Sequence, residues 1–140
     1  MPPDPGFLLA FFPAGYASTI LIEIPILAFC LSRRHSMGTR ISAGVWLTAW
    51  TYPFVALLFF ALLGRHRGLY LLVAETFAPL AECALFWLAH GSREERGRPS
   101  MWQDFAAIVA ANLASFLIGE LASPALDAIF PLPRREFAGG

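Results

Sequence analysis

Four stretches of this chain are apolar for about twenty residues each, and arginines separate them. Nothing else in the sequence constrains the fold as strongly. A helix rises 1.5 Å per residue, so about 20 residues cross the roughly 30 Å hydrocarbon core of a bilayer. The runs predict transmembrane helices over residues 14–32, 41–63, 69–89 and 104–122. Arg33, Arg34 and Arg40 close the first, Arg65 and Arg67 the second, and Arg93, Arg96 and Arg98 follow the third. Alternation with the period of a strand is nowhere visible, which argues against a β-barrel. The expected architecture is all-α: a polytopic membrane protein with its four helices in one compact bundle. Residues 1–140 form a single membrane domain, in which 123–140 make an interfacial tail because three prolines interrupt it. The first run is expected to be a retained helix, since only Asp4 precedes it where a signal peptide needs basic residues. The segment 7–12 either extends that helix or lies at the interface.

Composition agrees. Hydrophobic residues make up 57% of the 140 residues and charged ones 14%, against roughly 25% charged in a soluble domain. Ten acidic residues balance ten basic ones, all of them arginine, so no field calls for nucleic acid. The expected surroundings are a lipid bilayer. Arginine without lysine, together with abundant Ala, Gly and Pro, suggests a GC-rich source, and the expected location is the bacterial plasma (inner) membrane. The first and third loops hold six arginines and the second loop and tails four. The positive-inside rule then places both termini outside.

The informative residues are polar groups inside apolar runs. Glu23 lies in helix one, Glu75 and Glu82 in helix three, and Asn112 in helix four. A charge at a helix centre costs about 2.5–3.5 kcal/mol on the insertion scale, while a good apolar residue returns about 0.3–0.6. No arginine shares the depth of these acids. A carboxyl taken out of water favours its neutral form, so at least two of the three are expected to carry a proton. Glu75 and Glu82 are seven apart and share a helix face. Pro25, Pro53 and Pro79 are expected to kink helices one, two and three, each freeing a carbonyl one turn earlier. Thr48 and Thr51 lie beside Pro53, where they can bond backbone or carboxyl. Glu23, Thr48, Thr51, Glu75, Glu82 and Asn112 are thus candidates for an ion or proton site built on interrupted helices. The competing expectation is that they bond one another and hold the helices together.

Ala107, Ala111, Ser115 and Gly119 recur every four residues, a ridge of small side chains that lets helices approach closely. It is expected to pack within the bundle, or to form a homodimer or bind a membrane-protein partner through helix four. Ser100-Met-Trp-Gln103 fits a capping box, with Asp104 in the first turn where the helix dipole favours an anion. His35, His66 and His90 fall at span ends and are expected to be solvated. Trp46, Trp50, Phe59, Phe60, Phe86 and Trp87 are expected to face lipid. No metal-ligand spacing, cofactor motif or catalytic serine pattern is present, so neither a metal, a cofactor nor an enzymatic activity is expected.

Glu23-x-Pro25, Thr48-x-x-Thr51-x-Pro53, Glu75 with Glu82, and Asn112-x-x-Ser115 together resemble the pattern of small, uncharacterised four-helix bacterial membrane proteins. The resemblance implies the four-helix fold and brings no activity. Small multidrug-resistance transporters are similar in size, helix count and a Glu in helix one. Their third and fourth helices do not carry this load of carboxyls, and their function is not carried over. Two functions remain as expectations. One is a small proton- or cation-coupled transporter using Glu23, Glu75 and Glu82. The other is a non-catalytic accessory or assembly subunit of a larger membrane complex.

Overall fold

A computed structural model describes the backbone of residues 5–91 and 98–129 and the side chains of 12–91 and 98–122. Four helices run antiparallel: α1 (Pro5–Cys30), α2 (Met37–Leu63), α3 (Arg67–His90) and α4 (Pro99–Ile129). Each contains a stretch long and apolar enough to cross a membrane. The chain is a multi-pass membrane protein with all-α architecture. In the bundle α1 packs on α2 and α4, and α3 on α4 and α2, so the four helices close into a ring.

The helices outrun the apolar stretches at both ends. Helix α1 begins at Pro5, passes through Pro13 and Gly15, and incorporates the segment 7–12. Helix α4 does not stop at residue 122 but continues through Pro124 to Ile129. One proline removes one helical bond, which a helix can survive where neighbours or water re-satisfy the freed groups. The tail expected from residue 123 is thus helical as far as Ile129, and 130–140 lie outside the described residues.

Local chemistry sets the ends. Ser36 caps α2 by accepting a hydrogen bond from the Thr39 amide at 3.1 Å. Pro99 opens α4 at the first helical position, where its missing N–H costs nothing. The expected capping box does not form, because Ser100 already lies inside the helix. The Gln103 amide instead donates to the Cys30 carbonyl at the end of α1 (3.1 Å).

The expected proline kinks resolve unequally. Helices α1 and α3 stay α-helical through Pro25 and Pro79. After Pro53, α2 widens into a π-helical turn over Phe54–Phe59 before returning to α-helix at Phe60–Leu63. Proline cannot donate to the ladder, and a π-turn is one way a helix absorbs the mismatch.

The tight crossing lies between α1 and α2 at Gly44. A Cβ there would meet the Ile24 side chain at 2.9 Å and its Cα at 3.1 Å. The apolar core fills the half of the bundle nearest the first and third loops. It comprises Leu27, Leu31, Ala43, Leu47, Phe86, Ala107, Ile108 and Ala111. Phe86 is only 1% exposed and does not face lipid as its position in an apolar run suggested. Trp50 and Phe60 do remain on the surface. The other half of the bundle, toward the second loop, is looser and holds two cavities.

Candidate functional site

Two of the three expected carboxyls meet at the boundary between the packed and the looser half. Glu23 on α1 and Glu82 on α3 are 1% and 2% exposed. Both oxygens of each are engaged. Thr48 Oγ1 lies 2.6 Å from Glu23 Oε2, and Ser115 donates to Glu23 Oε1 at 2.9 Å. Thr51 Oγ1 lies 2.7 Å from Glu82 Oε1, and the Asn112 amide donates to Glu82 Oε2 at 2.7 Å. The two threonines come from α2, and Ser115 and Asn112 from α4. Each acid therefore ties its own helix to the two neighbours on either side.

Counting hydrogens sharpens this. Thr48 Oγ1 is also 2.8 Å from the Gly44 carbonyl, and Thr51 Oγ1 is 3.2 Å from that of Leu47. A hydroxyl carries one hydrogen. It serves the carbonyl and the carboxyl together either as a bifurcated bond or when the acid supplies a second hydrogen. The geometry accommodates acids that carry a proton. The threonines reach the Gly44 and Leu47 carbonyls and not that of Ala49, which the proline argument had freed.

Glu75 stands apart. It lies two turns from Glu82 on α3, about 10 Å by the helical rise, nearer the second loop. The three acids do not share one depth. Glu75 is half-buried and makes no hydrogen bond to another described residue. It lines two adjacent cavities. The first, of about 130 Å³, also touches Glu23, Thr48, Thr51, Glu82 and Asn112. The second, of about 380 Å³, extends past Tyr70 and Gly119 to an ion pair between Arg67 and Glu120, 2.6 Å long and largely exposed. Glu75, Ser115 and Phe116 belong to both. Side by side, the cavities lead from the second-loop end of the bundle to the buried acids.

The ridge on α4 divides accordingly. Ala107 and Ala111 are buried in the core, and Ser115 turns to Glu23. Gly119 is not a packing residue: a Cβ there would find nothing within 4 Å. The helices part at this level, and Gly119 borders the second cavity instead.

A second polar cluster, unforeseen as such, closes the opposite end. Asp104 on α4 is fully buried. It accepts from the Ser32 amide at 2.7 Å, from Arg34 Nη2 at 2.7 Å and Nε at 3.1 Å, and lies 3.0 Å from His35 Nε2. Arg40 donates to the Ala28 and His35 carbonyls. Asp104 is thus a staple between the start of α4 and the end of α1, and not simply a partner of its own helix dipole. His35 and His90 are not solvated loop residues. The His35 side chain is 8% exposed, and both rings pack on Phe86. The signal available in the sequence was the Arg34-His35 pair facing an acid in the first turn of another helix, a contact 70 residues apart.

No protein family, curated protein or solved structure matches this chain. Its chemistry is therefore read from its own geometry.

Proposed function

We propose that this protein is a small proton-coupled carrier of the bacterial inner membrane, with both termini outside and Glu75 as the acid that is loaded and unloaded. One observation carries the reading: among the described residues Glu75 alone of the three carboxyls has no hydrogen-bond partner, and it lines both of two adjacent cavities on the second-loop side. Glu23 and Glu82, engaged on both oxygens, hold the helices and end the route.

The coupling ion follows from ligand number. A divalent metal cation takes about six oxygens, whereas a proton needs one acid. Glu75 brings one carboxyl. The first cavity, which reaches the buried acids, is about 130 Å³ and has room for a few waters; the second, at about 380 Å³, lies within the roughly 300–1,000 Å³ of small-molecule sites. The accessory-subunit reading would dock through an exposed ridge on α4. Ala107 and Ala111 are spent on the chain's own core, which favours the carrier.

The test is proton movement in liposomes under an imposed pH gradient. Wild-type protein should dissipate the gradient, Glu75→Gln should not, and Thr76→Val on the lipid-facing side of the same turn should behave as wild type. Flux equal to that of empty liposomes in all three would remove the carrier reading and leave the accessory one.

A further inference from the structure

The inward face of α3 carries a column of groups that the carrier reading uses only in part. Glu82, Phe86 and His90 are spaced four apart and stand one above another. Glu82 ends the route from the second loop. Phe86, buried among Leu27, Leu31, Leu47 and Ile108, lies directly beyond it. The His90 ring stacks on Phe86 with centroids 4.7 Å apart at 27°, and His35 meets the same ring edge-on at 5.1 Å. The two imidazoles are 5.6 Å apart. His90 Nδ1 is buried beside the Phe86 backbone. His35 Nε2 is held on Asp104. Among the described residues, the charged or titratable groups around His90 are His35 and Arg34 from the first loop and Asp104 from α4. Helix α2 contributes Trp46, which carries no charge.

We propose that Phe86 is the plug of the proton path, and that His35 and His90 are the proton-exchanging pair on its far side. This rests on the carrier reading and extends it to the first-loop and third-loop end of the bundle. The chemistry is that of two compartments divided by one ring. On one side lie carboxyls that accept and release protons, reached by the two cavities. On the other lie two imidazoles, whose ring nitrogens can both take up and give back a proton. The step across α3 from residue 82 to residue 90 is two helical turns, about 12 Å. That is too far for a direct hydrogen bond, and Phe86 fills the space between with an apolar ring. No bond to carbon forms or breaks. When the ring moves aside, water from the cavity side bridges the gap: Glu82 gives its proton to that water, and the water chain delivers one to an imidazole nitrogen.

The plug predicts a gain of function, which simple loss of structure does not mimic. Phe86→Ala and the milder Phe86→Val are reconstituted in liposomes alongside wild type and Glu75→Gln. Proton entry is driven by a potassium diffusion potential with valinomycin, and folding is checked by monodisperse elution. Phe86→Ala, or Phe86→Val if the alanine variant does not elute as a single species, should leak protons several-fold faster than wild type. Adding Glu75→Gln should suppress that leak. His90→Gln should change the pH profile of gradient-driven flux, because it removes one of the two groups that exchange the proton. Folded Phe86 variants no faster than wild type, with flux still lost in Glu75→Gln, would overturn the plug and keep the carrier. A leak in Phe86→Ala with wild type and Glu75→Gln equally inactive would overturn the carrier and keep the barrier. A His90→Gln profile identical to wild type would overturn the histidine pair.

Discussion

Replacing Asp104 with Asn asks how much the staple at the first-loop end contributes. The carboxylate accepts on both oxygens: Oδ1 from the Ser32 amide, Oδ2 from Arg34 and within 3.0 Å of His35. Asparagine keeps the shape but offers one acceptor and one donor. Whichever way the amide turns, its NH₂ faces a donor: the Ser32 N–H in one orientation, the guanidinium in the other. One buried donor is left unmet, at about 1–3 kcal/mol. The attraction between Arg34 and a charged partner is lost as well. That part is modest, because the Arg34 side chain is 20% exposed and turns to water, as surface pairs worth about 0–1 kcal/mol do. The sum is about 1–4 kcal/mol. A domain of this length loses about 3 °C of melting temperature per kcal/mol on the scale of soluble proteins, so Asp104→Asn should melt roughly 3–12 °C below wild type in detergent. Arg34→Gln should lose roughly 3 °C or less on the same scale. An Asp104→Asn variant within a degree or two of wild type, followed by thermal unfolding of the far-ultraviolet circular dichroism, would show that α4 is not anchored there.

Other perturbations follow from the same geometry. Gly44→Val drives a side chain into the Ile24 backbone and should destabilise the bundle by about 1–3 kcal/mol, the range for overpacking, measured by the same melt. Gly119→Leu should melt like wild type, because nothing lies within 4 Å of the new Cβ. By filling the second cavity it should slow gradient-driven flux, and undiminished flux would mean the route runs elsewhere. Thr51→Val and Asn112→Leu each remove one donor to Glu82 and should each cost about 1–3 kcal/mol. Because they share one carboxyl, a double-mutant cycle should depart from additivity by about 0.5 kcal/mol or more; strictly additive losses would mean the two bonds do not act through Glu82.

Much of this site was legible along the chain because an acid inside an apolar run has few explanations. Glu23, Glu82, Thr48, Thr51 and Asn112 stood out as polar residues inside apolar runs. What stayed hidden has physical reasons. Phe86 reads the same whether it faces lipid or the core, since both surroundings are apolar and hydrophobic periodicity fades in a membrane. Asp104 had a sufficient local explanation in the dipole of its own helix, which concealed partners on the loop after α1. His35 and His90 come together only when α1 and α3 end at the same level. The separation of Glu75 from the other acids was present as a seven-residue spacing, two turns and about 10 Å. Shared face was visible in that number, and difference in depth was there too. Gly119 fitted a four-residue repeat, but a repeat does not say where helices diverge.

Among the described residues Glu75 is the one of these three acids without a hydrogen-bond partner, and it should be the one that a reagent reaches. A hydrophobic carbodiimide modifies carboxyls that carry a proton in apolar surroundings, and peptide mass spectrometry locates the adduct. On protein in liposomes near neutral pH the adduct should map to Glu75, with Glu23 and Glu82 unmodified because both oxygens of each are held by neighbours. An adduct on Glu23 or Glu82 with Glu75 untouched would contradict the account.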